Sequence, residues 1–310
     1  MLALLMPGQG SQSPGMLSPW LNEEAKKTLA TWSLHIDLDL ERLGTTATAE
    51  EIKDTANAQP LIVATGLIGA NALRTQMANG FSVVAGHSVG EITAAAICET
   101  ISSASALELV RQRGLAMARA ASEVETGMSA VLGGERNDVL RTLENLDLIP
   151  ANDNGAGQIV AAGSLDALDR LSEHPPTGAR VRALAVAGAF HTHYMQSAVT
   201  QVANFADQLQ SQNLIQNPKV QLISNKDGQV VKDGLDAINR IVNQISNPVR
   251  WDLCMEALVQ LGVTGAIELP PAGTLVGLLK RAVPQIETFA LKSPEDLVAA
   301  REFAERHGAK

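Results

Sequence analysis

The stretch FSVVAGHSVGEITAAAI, residues 81–97, constrains this chain more than any other. A short apolar run (FSVVAG, 81–86) reads as a buried strand and passes through His87-Ser88-Val89-Gly90 straight into a helical pattern. Strand, tight turn and helix in that order belong to an α/β fold with a parallel sheet. The turn matches G-x-S-x-G, in which the serine sits on a strained bend between strand and helix. Residues two before and two after the serine must be small for strand and helix to close, and here they are Gly86 and Gly90. Such a bend lifts Ser88 Oγ above the sheet and points helix N-terminal N–H groups at any oxyanion formed there. Ser88 is therefore the candidate nucleophile, and His87, beside it in the turn, should aim its ring away from Ser88 Oγ.

The flanking segments follow the same grammar. LALLM (2–6) reads as a buried strand, and AQPLIVATGLIGANALRTQM (58–77) as a mostly apolar helix with Pro60 in its first turn. SASALELVRQRGLAMARAASE (103–123) is another long helix. Between 127 and 188 the pattern changes to strand (127–134), helix (136–146), two strands about a Gly/Asn turn (148–163), helix (164–174) and strand (179–188). That β-α-β-β-α-β order is a ferredoxin-like unit. The expected architecture is an α/β-hydrolase-like large subdomain with a parallel sheet (1–124 and 190–310) and an inserted ferredoxin-like small subdomain (125–189).

Bulk properties exclude several function classes. A formal charge of −9 argues against nucleic acid or an anionic membrane as main partner, since both reward a basic surface. The two cysteines, Cys98 and Cys254, lack metal-ligand spacing and read as buried thiols in a reducing compartment. The apolar start has no basic n-region and is short for a signal segment, and no stretch approaches the ~20 apolar residues of a membrane helix. A cytoplasmic location is expected. The opening loop, PGQGSQSPGM (7–16), follows a strand and is glycine-rich, yet it is no phosphate cradle. The dinucleotide fingerprint needs glycine where Ser13 stands, and a P-loop begun at Gly10 meets Met16-Leu17 where Lys and Ser/Thr belong.

A serine nucleophile needs a base. His35, His174 and His307 fall in polar segments that read as exposed, whereas His191 and His193 follow a strand in the small-residue loop AVAGAFHTHYM. His191, directly after Ala189-Phe190, is the better candidate. In LVRQRGLAMARA, spacing alone favours a solvated face for Arg111, Arg113 and Arg119. A buried Arg113 would instead be a fork able to hold a carboxylate at two points.

Taken in order, PGQGSQ (7–12), NAQPLIVATG (57–66), AGHSVGEITAA (85–95), RQRGLAMA (111–118), ANDNGAGQIVAAG (151–163), GAFH (188–191), SNKDG (224–228), QISNPVRWDLCM (244–255) and GTLVGLLKR (273–281) cover nearly the whole chain. Together they resemble the malonyl-CoA:acyl carrier protein transacylases, most closely the actinobacterial type. The resemblance implies transfer of malonyl from malonyl-CoA to the phosphopantetheine thiol of acyl carrier protein, through an ester on Ser88, in type II fatty acid synthesis. It makes His191 the base, steadied by the main-chain carbonyl of Gln244, and pairs Arg113 with the free carboxylate of malonate. It implies an oxyanion hole from the N–H groups of Gln9 and Val89, Phe190 and Val89 as features of a malonyl site, and Asn154 as ordering the site edge. No cofactor and no metal are implied, and a monomer is expected. Pro270-Pro271-Ala272 departs from the family's Gly-Pro-Gly type turn, and His193 receives no role.

Other readings remain open at this level. An α/β-hydrolase would need an acid between Ser88 and His191, for which Asp153 or Asp169 could serve, and a patatin-like lipase would use Asp227-Gly228. A transacylase serving malonate decarboxylase is closer still. A non-enzymatic carrier-docking scaffold would be expected to lose Ser88, His191 or Arg113, and all three are present. Arg180, Arg182, Lys280 and Arg281 offer a basic rim for an acidic carrier protein.

Overall fold

A strand covered on both faces reads as an unbroken apolar run, and the two middle strands of the larger sheet, Leu2–Met6 and Val83–Gly86, are of this kind. The computed structural model describes residues 1–77, 80–186 and 188–308. Its strands begin with β1 (Leu2–Met6), β2 (Val83–Gly86), β3 (Thr126–Gly133), β4 (Ile149–Asp153), β5 (Gln158–Ser164) and β6 (Ala179–Ala183). They continue with β7 (Gln221–Ile223), β8 (Val230–Val231), β9 (Val249–Arg250), β10 (Gly265–Glu268) and β11 (Glu287–Ala290). The larger sheet runs β11-β10-β1-β2-β7-β8, and only the β7–β8 pair is antiparallel. Alternation along the strands separates its two faces: Leu2, Leu4, Met6 and Val84 join one apolar cluster, Ala3, Leu5, Val83 and Ala85 another.

The smaller sheet has the order β6-β3-β5-β4-β9. Its first four strands and the helices Arg136–Asn145 and Leu165–Glu173 give the expected ferredoxin-like arrangement. The fifth strand, β9, comes from far along the chain and lies parallel to β4. The sheet therefore extends beyond 125–189, because two residues after the Asn247-Pro248 bend pair with the open edge of β4. The strand expected over 179–188 ends at Ala183, and its position 187 lies outside the described residues.

Two further expectations change. The helix expected from 58 begins at Thr55, capped by Asp54 accepting from the Ala56 N–H, so Pro60 stands inside it and not in its first turn. Proline leaves the carbonyl four residues back without its helical donor. Arg111 Nη1 fills that gap, donating to the Ala56 carbonyl at 3.0 Å, so Arg111 is not a free surface charge. His307, expected to be exposed, packs against Phe303 and bonds Thr264 and Glu287. Among the described residues no helix is long and apolar enough to cross a membrane.

The turn after β2 is as tight as its glycines suggest. A Cβ on Gly86 would lie 2.0 Å from the Gly90 carbonyl carbon, and one on Gly90 would lie 2.2 Å from the Met6 carbonyl oxygen. Neither obstacle is a side chain that could swing aside. Gly86→Ala is thus expected to cost about 1–3 kcal/mol of stability and to lower the thermal midpoint. An unchanged midpoint in a scanning melt would contradict this account of the turn.

Candidate active site

Ser88 and Gln9 are brought together because β1 and β2 are adjacent and parallel, so the loops at their carboxyl ends open on the same side. Ser88 holds a left-handed backbone, φ 53°, between β2 and the fully buried helix Gly90–Ile97. The bend is pinned from outside. Asn225 Oδ1 accepts the Ser88 N–H at 2.8 Å, while Asn225 Nδ2 donates to the Gly86 carbonyl at 2.7 Å. Among the described residues, the N–H groups of Val89 and Gln9 donate to no protein acceptor. The Gln9 side chain is anchored, with Nε2 donating to Thr55 Oγ1 at 3.1 Å and Oε1 accepting from Gln59 Nε2 at 3.3 Å. Gly8 allows this loop to lie against the turn, since a Cβ there would meet the His87 carbonyl oxygen at 2.6 Å.

His191 lies in the loop after β6, which is tied to β3 through the Ala189 N–H and Thr126 Oγ1, 2.9 Å apart. Its Nε2 is 2.8 Å from Ser88 Oγ and its Nδ1 is 2.7 Å from the carbonyl oxygen of Gln244. A carbonyl can only accept, so Nδ1 carries the proton and Nε2 presents its lone pair to the serine hydroxyl. Burial, and then the neighbouring Arg113 charge, lower the imidazole pKa to about 3, which keeps the ring neutral with its Nε2 lone pair free to accept from Ser88 Oγ.

Arg113 overturns the solvated-face reading, for it is 0% exposed. Its Nη1 donates to Gln59 Oε1 at 2.7 Å, and its Nη2 to Gln244 Oε1 at 3.1 Å and Ser88 Oγ at 3.4 Å. Its Nε has no partner among the described residues, and no carboxylate bonds the guanidinium directly. Burial pulls its pKa down to about 10, which leaves it charged at neutral pH. A buried cation held only by neutral acceptors is a receptive site for an anion.

A cavity of about 250 Å³ opens in front of this cluster, lined by Gln9, Gln59, Ser88, Phe190, His191 and Thr274 among others. Arg113 is not on its wall; the guanidinium reaches Gln59 and Ser88, which are. His87 turns away from Ser88 Oγ, as expected, and its Nε2 meets Asn154 Oδ1 at 2.8 Å, joining the turn to the loop after β4. Val89 is wholly buried and Phe190 nearly so.

The hydrolase alternatives lose their acids. His191 Nδ1 faces a main-chain carbonyl, Asp153 pairs with Arg136, Asp169 is exposed, and Asp227 pairs with Arg240. Three residues of the site escaped the sequence reading: Gln59, Glu91 and Asn225. All lie within the quoted stretches, and each is a polar group beside or within an apolar run, a signal that burial with partners would follow.

Residues 4–299 match the acyl transferase domain family. The malonyl CoA-acyl carrier protein transacylase of Mycobacterium tuberculosis (strain H37Rv) is 52% identical over 300 residues, covering 96% of this chain and 98% of that protein. The crystal structure of MCAT from Mycobacterium tuberculosis superposes with a TM-score of 0.92 at 51% identity, covering 97% of this chain and 99% of that one. A malonyl-transacylase solved in complex with its type II PKS acyl-carrier protein gives a TM-score of 0.91 at 28% identity, covering 97% and 99%. The chain belongs to the acyl transferase domain family.

Proposed function

We propose that this chain is an acyl-carrier-protein S-malonyltransferase, moving malonyl from malonyl-CoA to the phosphopantetheine thiol of acyl carrier protein in type II fatty acid synthesis. The observation that carries this reading is the buried, carboxylate-free guanidinium of Arg113 beside the Ser88–His191 pair. A hydrolase or acetyltransferase has no use for a cation there. A malonyl thioester, whose far end is a carboxylate, does.

In the first half-reaction Ser88 Oγ attacks the thioester carbonyl as His191 Nε2 takes its proton. The oxyanion is received by the N–H groups of Gln9 and Val89, and two such donors contribute several kcal/mol of barrier lowering. The intermediate collapses, the C–S bond breaks, and the CoA thiolate leaves with the proton from His191. The free carboxylate is held by Arg113, taking over acceptor positions now filled by the neutral Gln59 oxygen. In the second half-reaction the carrier thiol gives its proton to His191 and attacks the ester. Ser88 leaves and is reprotonated, so one channel serves both thiols. Gln244 keeps the imidazole in its working tautomer through its main-chain carbonyl, and Asn154 with His87 orders the cavity edge.

The division into a 1–124 and 190–310 body and a 125–189 subdomain fits this reading, with the cavity between the two sheets. Arg180, Arg182, Lys280 and Arg281 are exposed and would meet an acidic carrier protein. We place the reaction in the cytoplasm.

Malonyl-CoA should add one malonyl group to the intact protein and none to Ser88→Ala; an ester on the Ser88→Ala protein would refute the nucleophile. Arg113→Ala should reduce kcat/KM for malonyl-CoA by roughly 2–5 kcal/mol equivalent, at least ~30-fold, and for acetyl-CoA far less. Equal losses for the two donors would remove the carboxylate role.

A further inference from the structure

Behind the serine, histidine and arginine lies a carboxylate on which their supporting hydrogen bonds end. Glu91, one residue past the G-x-S-x-G turn, is 3% exposed and touches neither the cavity nor Ser88 Oγ. One carboxylate oxygen accepts the Asn225 N–H at 2.7 Å, and the other accepts from Gln244 Nε2. The second Nε2 hydrogen of Gln244 goes to Asn225 Oδ1 at 3.0 Å, an oxygen that also accepts the Ser88 N–H. Both amide hydrogens are thus committed, and Gln244 Oε1 is left facing Arg113 Nη2 at 3.1 Å.

The direction of this chain is not free. Burial pushes the Glu91 carboxyl up to about 8. Yet both its oxygens face donors, the Asn225 N–H, which can only donate, and Gln244 Nε2, a setting in which they serve as acceptors. Turning the Gln244 amide over would set its oxygen against Glu91 and Asn225 Oδ1, and its NH₂ against the guanidinium. Each contact would then oppose like groups in a water-free interior, where such errors are costly. The sense of the amide is therefore fixed by Glu91 together with Asn225 Oδ1, with its oxygen left for Arg113.

We propose that Glu91 is a positioning residue for malonyl recognition: through Gln244 it fixes the acceptor that holds Arg113 beside Ser88 Oγ. Glu91 lies one amide away from the guanidinium, so the arginine is held in place without a carboxylate occupying its fork. The inference rests on the reading of Arg113 as the malonyl carboxylate's partner.

Single-turnover loading of Ser88 by malonyl-CoA and acetyl-CoA tests it, in the wild-type protein, Glu91→Gln, Gln244→Met and the double variant, each checked by thermal melt. An amide at 91 that accepts the Asn225 N–H sets its NH₂ against Gln244 Nε2. Either that contact is lost or the Gln244 amide turns its NH₂ toward Arg113, and in both cases the acceptor for the guanidinium is no longer held. Glu91→Gln should lower kcat/KM for malonyl-CoA at least ~10-fold, with a much smaller fall for acetyl-CoA. Gln244→Met, which keeps the carbonyl that bonds His191, should do the same. The double variant should lose no more than the worse single one, because the effect of Glu91 runs through Gln244. Equal losses for the two donors in folded Glu91→Gln, an unchanged malonyl preference, or losses that multiply in the double variant would each overturn the proposal. Should Glu91→Gln not fold, Glu91→Asp must keep the malonyl preference and Gln244→Met must lose it, and failure of either overturns it. Arg113→Ala run alongside separates the two levels. If it too fails to discriminate between donors, the carboxylate reading falls; if it discriminates and the Glu91 and Gln244 variants do not, only the role of Glu91 falls.

Discussion

A guanidinium removed entirely from water is the constraint around which this site is arranged. Moving an unpaired charge into a protein interior is expensive, and Arg113 meets that cost with neutral oxygens from Gln59, Gln244 and Ser88 and not with a bound carboxylate. A direct ion pair would have been the stronger partner for the arginine alone. It would also have filled the fork, leaving nothing for an incoming anion. The same cation, by its field, helps hold His191 neutral. One buried charge therefore bears on both the acyl group selected and the state of the base.

The fold serves this arrangement by adjacency. Parallel pairing of β1 with β2 sets the Gln9 loop beside the serine turn, and the close approach of Gly86, Gly90 and Met6 leaves room for no side chain between them. Asn225, arriving from the end of β7, closes the bend by taking the Ser88 N–H and returning a hydrogen bond to Gly86. The turn is thus held by main-chain packing on one side and by an amide on the other. The loop that carries His191 leaves the smaller sheet and is anchored back on it through Thr126. Base and nucleophile come from different sheets, and the cavity lies where the two meet.

Much of this was legible in the sequence because it is local. The serine turn, the ferredoxin-like order and the histidine loop each declare themselves within a short window. What stayed hidden is contact between distant segments. Asn225 meets Ser88 across 137 residues, and Gln244 meets Glu91 across 153. Neither pairing leaves a periodic trace, and both partners look like ordinary polar residues at the edge of a helix or loop. Arg113 was misplaced by its spacing for the same reason, since its burial is decided by Gln59 and Gln244 on other elements. Pro60 inside its helix is tolerated because Arg111, 55 residues away from Ala56, supplies the donor that the proline removed. β9 joins the smaller sheet as a two-residue strand, too brief for any alternation to mark it.

The opening glycine-rich loop also acquires a sharper role. Gly8 allows close approach to the His87 carbonyl, and the Gln9 side chain, tied to Thr55 and Gln59, fixes the direction of the bend that carries the main-chain donor. Side chain and backbone of Gln9 therefore do different jobs, the first setting the second in place. The central claim is that Arg113 receives the free carboxylate of the acyl group carried on Ser88. A crystal structure of the malonylated protein tests it most directly. The account predicts both carboxylate oxygens at roughly 2.7–2.9 Å from the Arg113 guanidinium nitrogens, with Gln59 displaced from Nη1. A malonyl carboxylate directed toward the cavity mouth, with Arg113 still bonded to Gln59, would contradict it.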